Sequence, residues 1–149
     1  MDMVEVFNKV EAHLLAQGVR SIRKSLIQDM CAYRGAGGLR CAVGCLIKDE
    51  AYHKGLEGTS ALELLRQCQT DEKEEDRQTL LKEALIKSGI DLKPATTYML
   101  SDLQYLHDQQ KPKDWEQELQ KLRVKYFGID TSRTYDEKTA IDRHNKQTG

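Results

Sequence analysis

The sequence predicts a mainly α fold: one compact domain of five or six helices with at most a short β-hairpin near residues 28–42, an α+β arrangement being the alternative. Three observations carry this. Apolar residues recur at spacings of three and four over most of the first 128 positions, the helical period. Gly and Pro punctuate those stretches at the places where helices stop and start. The length, 149 residues, suits a single core and leaves no room for a large multidomain enzyme.

Met3, Val6, Phe7, Val10 and Leu14 set one stripe, and Gly18 is the residue type that closes a helix in the left-handed conformation, so a helix is expected over residues 3–17. Residues 28–34 alternate roughly and run into Gly35-Ala36-Gly37-Gly38, which reads as an extended stretch entering a tight turn. The run Cys41–Ile47 is too short for periodicity to decide between strand and helix, and its small residues favour a buried helix. Gly55 and Gly58 bracket a loop. Ser60 and Glu63 have capping-box spacing before a helix over residues 61–69. The acidic run of residues 71–76 suits the start of the next helix, whose Leu80, Leu81, Ala84 and Leu85 lead to Gly89. Pro94 opens a helix reaching about Asp108, and Pro112 and Gly128 frame a last one with Trp115, Leu119, Leu122 and Tyr126 on one side. Residues 1–128 are therefore the expected globular domain. Residues 129–149 carry four basic and four acidic residues with no periodicity, a polar tail expected to be mobile or ordered only on a partner.

Charge excludes some functions and localises others. With 23 basic and 24 acidic residues the net charge is -1, which gives no global field for nonspecific nucleic-acid binding. The longest apolar run, Cys41–Ile47, falls far short of the roughly 20 residues of a membrane span. A signal peptide wants a basic start, whereas Asp2 and Glu5 open this chain, so the four cysteines are expected as reduced thiols in a cytosol-like compartment.

Locally the charge is segregated. Residues 20–48 hold six basic residues against Asp29 alone, a balance of +5, while residues 49–92 carry a balance of -5. The basic stretch contains the glycine cluster, and Arg34 and Arg40 on its flanks can offer bidentate donors to an anion. Tyr33, Arg34, Gly35, Gly37, Gly38, Arg40 and Cys41 are thus the candidate ligand- or partner-binding residues, with a phosphorylated nucleotide as the ligand they suit. Neither a P-loop ending nor a dinucleotide fingerprint is present. The same arginines have a structural reading, as clamps that tie the turn to buried carboxylates.

Cys41, after Arg40, has the neighbour that favours a thiolate, but no histidine is spaced as its base, and His107-Asp108 reads as a solvated pair. The spacing Cys31-x9-Cys41-x3-Cys45 lacks the two close pairs of a structural zinc site. No metal, no cofactor and no enzymatic activity are expected.

From Cys31-Ala32-Tyr33-Arg34-Gly35, through Gly38-Leu39-Arg40-Cys41-Ala42-Val43-Gly44-Cys45-Leu46-Ile47, to Asp49-Glu50-Ala51-Tyr52, the chain resembles a group of small uncharacterised proteins encoded by tailed bacteriophages. Leu103-Gln104-Tyr105-Leu106-His107-Asp108 and Trp115-Glu116 extend the resemblance more loosely. Lys48 departs from it, standing where proline is expected. The resemblance implies a phage accessory protein in the cytoplasm of the infected bacterium, one that binds and inhibits or redirects a host protein, including a component of antiviral defence.

Overall fold

The computed structural model describes residues 1–24, 30–58, 60–68 and 76–128. Its described part is mainly helical: α1 (Met3–Gln17), a two-stranded antiparallel hairpin of β1 (Ile22–Arg23) and β2 (Met30–Cys31), then α2 (Ala61–Cys68), α3 (Asp76–Lys87), α4 (Pro94–Gln109) and α5 (Trp115–Phe127).

The helices form where the apolar period places them. In α1, Val6, Phe7, Val10 and Leu14 are buried on one stripe. Asp2 accepts from the Glu5 amide at 2.9 Å while the Glu5 carboxylate accepts from the Asp2 amide at 3.1 Å, a reciprocal cap that satisfies two otherwise orphaned donors. Gly18 ends the helix at φ 69°, and its amide returns to the Leu14 carbonyl. The last helix begins one turn later than Pro112, because Pro112–Asp114 winds as a 3-10 turn that leads into Trp115. α4 occupies the interior: Met99, Leu100, Leu103 and Leu106 are buried, and the helix packs against α2, α5 and α1. Phe7 meets Phe127 edge-on at 5.6 Å, and Arg123, almost fully buried, lies over Phe7 and donates to Glu11 at 2.8 Å, joining α1 to α5.

Between α1 and α2 the described residues are irregular apart from the hairpin and short 3-10 turns, and two expectations need correction. Cys41–Ile47 is buried as expected but is no α-helix; only Gly44–Leu46 winds, as a 3-10 turn. One helical bond forms, from Cys45 N to the Cys41 carbonyl at 3.0 Å, before the chain tightens into bonds from Leu46 N to Val43 O and Ile47 N to Gly44 O, and side chains take the flanking amides: Val43 donates to Gln104 Oε1 at 3.0 Å, Gly44 to Cys41 Sγ at 3.3 Å and Lys48 to Ser88 Oγ at 2.9 Å. Gly44 also lies so close to the Tyr33 backbone that a Cβ would have no room. The hairpin starts earlier than expected, Ile22 pairing with Cys31 and Arg23 with Met30. Around the glycines the chain closes with bonds from Gly35 N to Leu39 O and Cys41 N to Ala32 O instead of a strand ladder. Gln28, Asp29, the acidic positions 71–75 and the segment 129–149 lie outside the described residues.

Candidate functional site

The seven candidate residues part company in three dimensions. Tyr33 and Cys41 are wholly buried, so neither belongs to a surface that meets a ligand or partner. Burial and nearby Cys31 push the Cys41 thiol well above its usual range against the opposing pull of the Gly44 amide, the reverse of an activated nucleophile. Tyr33 is likewise raised by burial, and its hydroxyl has no hydrogen-bond partner among the described residues. Gly37 and Gly38 form the exposed tip of the turn at φ 69° and 80°, conformations that require glycine.

Arg34 and Arg40 converge on one carboxylate. Arg34 Nη1 lies 2.5 Å from Asp49 Oδ1, its Nη2 donates to the Ile47 carbonyl at 2.8 Å, and its guanidinium covers the Tyr52 ring at 4.8 Å. Arg40 reaches the same oxygen at 3.5 Å. The two guanidinium groups hold the Asp49 carboxyl below its ordinary value. Asp49 is 80% exposed, so the structural reading of a buried clamp does not hold for these arginines.

A half-buried clamp of another kind lies nearby. Glu57 accepts from the amides of Tyr33 at 3.1 Å and Arg34 at 3.0 Å and from the Tyr52 hydroxyl at 2.7 Å. Burial and this carboxylate push the Tyr52 phenol up to about 12, so it stays a neutral donor. Two neighbouring segments thus share one three-bonded carboxylate, which fixes the Tyr52 ring.

Beside this ring opens a cavity of about 410 Å³ lined by Ile22, Arg23, Arg34, Tyr52, Lys54 and Glu57, together with the backbone of Gly35 and Ala36. Arg34 and Gly35 are the members of the sequence-derived set that reach it. Arg23, Tyr52, Lys54 and Glu57 were missed; Tyr52 falls within the quoted motif and Arg23 within the basic stretch, but nothing in their spacing joins them. Among the described residues neither Arg23 nor Lys54 has an ion-pair partner.

His107-Asp108 also needs correction: the imidazole is fully buried, not solvated. Its Nε2 accepts from the Ser21 amide at 3.0 Å, which requires a lone pair there, so Nδ1 carries the proton and donates to Asp108 at 2.7 Å. Trp115 stacks on the ring at 5.7 Å. With both nitrogens engaged, His107 ties the start of the hairpin to α4. Among the described residues there is no cluster of three or more His, Cys, Asp or Glu able to hold a metal, and no helix is long and apolar enough to cross a membrane.

No family profile matches this chain, and neither a curated protein nor a solved structure shows significant similarity to it.

Proposed function

We propose that this protein acts by binding, and that it captures a small phosphorylated ligand, a nucleotide by size and chemistry, in the cavity beside the hairpin. The carrying observation is the placement of Arg23, Arg34 and Lys54 around a 410 Å³ space next to a fixed aromatic ring. That volume lies within the range of about 300–1,000 Å³ common to ligand pockets. A binding role without catalysis is supported by the fate of the two strongest catalytic candidates, since Cys41 is sealed and protonated and His107 is spent on the backbone. In the setting that the sequence resemblance implies, such capture would serve a phage protein inside an infected bacterium. Melting the protein against a panel of nucleotides and inorganic phosphate tests the proposal: a saturable rise with a phosphorylated compound is expected, and no shift with any of them would refute it.

A second reading, capture of a bacterial host protein, is favoured by α4. Tyr98 and Tyr105 are about half exposed and share a shallow groove with Leu62 and Arg66; Tyr and Arg are residue types in which binding hot spots are rich. A host protein retained from bacterial lysate by the native chain and lost with Tyr98→Ala/Tyr105→Ala would favour this reading; equal retention by both would remove it.

A further inference from the structure

We infer that the hairpin cavity selects a ligand bearing a single terminal phosphate, a nucleoside monophosphate in preference to a triphosphate; this rests on the reading of that cavity as a phosphate-ligand site. The charge around the space decides it. Three cations line the cavity, but Arg34 is tied to Asp49 at 2.5 Å and to the Ile47 carbonyl at 2.8 Å, so its guanidinium is not at liberty to follow a ligand. Arg23 and Lys54 remain, two positive charges unpaired among the described residues.

A phosphomonoester carries a charge of about -1.5 to -2 near neutral pH, which Arg23 and Lys54, set against the Glu57 carboxylate of the same wall, offset far more nearly than they offset a triphosphate. A triphosphate brings further negative charge into a space whose wall also carries the Glu57 carboxylate. Glu57 cannot turn away, because its two oxygens hold the Tyr33 and Arg34 amides and the Tyr52 hydroxyl. Those added charges therefore meet repulsion without compensation.

The other end of the ligand meets Tyr52. One face of its ring is covered by Arg34, and the hydroxyl bond to Glu57 sets its orientation before any ligand arrives. A pre-positioned ring loses little entropy on stacking against a planar base. The occupant thus has a phosphate at Arg23 and Lys54 and a planar group at Tyr52.

Calorimetric titration of the full chain with AMP, GMP, CMP and UMP, with ATP in the presence and absence of magnesium, and with inorganic phosphate tests this. The tightest monophosphate should bind at least about tenfold more tightly than ATP under either condition, a difference of about 1.4 kcal/mol. Arg23→Ala/Lys54→Ala should weaken that monophosphate by about tenfold or more with the melting temperature of the unliganded protein unchanged, as exposed charges contribute little to folding. Tyr52→Phe should retain most of the affinity and Tyr52→Ala should not. ATP binding as tightly as every monophosphate would overturn the selectivity while leaving the phosphate site standing. Unchanged monophosphate affinity in the Arg23/Lys54 double variant would overturn the placement. Binding of none of these compounds would remove the phosphate-site reading, and this inference with it.

Discussion

The helical scaffold and the irregular segment of the described residues 19–24 and 30–58 solve the same problem, the pairing of backbone amides, by different means. In α1 every interior amide finds its partner four residues back, and only the ends need side chains: Asp2 at one, Gly18 at the other. In the irregular segment the amides of Ser21, Tyr33, Arg34, Arg40, Val43 and Lys48 are paired by His107, Glu57, Gln17, Gln104 and Ser88. Those side chains come from α1, α4, the turn that follows α3 and the loop before α2. The contrast teaches that amides of an aperiodic stretch can be paired without a helical ladder, provided that polar groups on the scaffold are positioned to receive them. It also shows where sensitivity to substitution lies. A helix loses one contact at a time, whereas a shared acceptor such as Glu57 releases several donors together.

The largest effect is therefore expected at Glu57. Glu57→Ala leaves the Tyr33 and Arg34 amides and the Tyr52 hydroxyl without their acceptor and should cost about 3 kcal/mol of stability, read from denaturant unfolding. Glu57→Gln, which keeps one acceptor oxygen, should recover part of this. A change within about 0.5 kcal/mol for Glu57→Ala would break the comparison. Next comes Gln104, fully buried between the Val43 amide and Asp108. Gln104→Leu keeps the bulk and strands the Val43 amide and should cost about 1–3 kcal/mol; equality with the native protein would mean that the amide finds another partner.

The thiols of the segment give a pH signature. Cys45 is pushed from 9.0 up to about 12, chiefly by burial. The unfolded chain therefore releases this proton first. Stability should be full below about pH 9 and drain as pH rises toward 12, and Cys45→Ser should flatten that alkaline slope. An unchanged slope would place the loss elsewhere. The smallest effect is expected at Arg40, whose side chain is 35% exposed and reaches an exposed Asp49 at 3.5 Å. Arg40→Ala should shift stability by less than about 0.5 kcal/mol. A larger loss would show that the Asp49 clasp is part of the clamp.

This division also explains what the sequence disclosed. The boundaries of α1, α2 and α4 were legible to within a residue because the signals are local: the stripe through Val6, Phe7, Val10 and Leu14, glycine at position 18, the capping-box spacing at 60 and 63, proline at 94. The buried face of α5 was legible in Trp115, Leu119, Leu122 and Tyr126, though the inward turn of Arg123 between them was not, since a charged residue enters the core only when a distant partner such as Glu11 meets it. The irregular segment was misread as a helix at Cys41–Ile47 because its decisive partner, Gln104, lies 61 residues away and leaves no period behind. For the same reason Tyr33 and Cys41 read as surface candidates and Glu57 as one more acid in an acidic stretch. Much of what the sequence offered as a motif proves architectural: Gln104 and His107 hold amides of the irregular segment on α4, and Trp115 stacks on the His107 ring.

Native-state hydrogen exchange tests this central claim most directly. In the native protein the amides of Tyr33, Arg34, Val43 and Lys48 should be protected to a degree comparable with interior amides of α1. In Glu57→Ala, Tyr33 and Arg34 should lose protection by a larger factor than Val10 or Leu14, showing a local opening on top of the global loss of stability. Fast exchange at these four amides in the native protein, or a loss in Glu57→Ala that is uniform across the helices and the segment, would contradict the account.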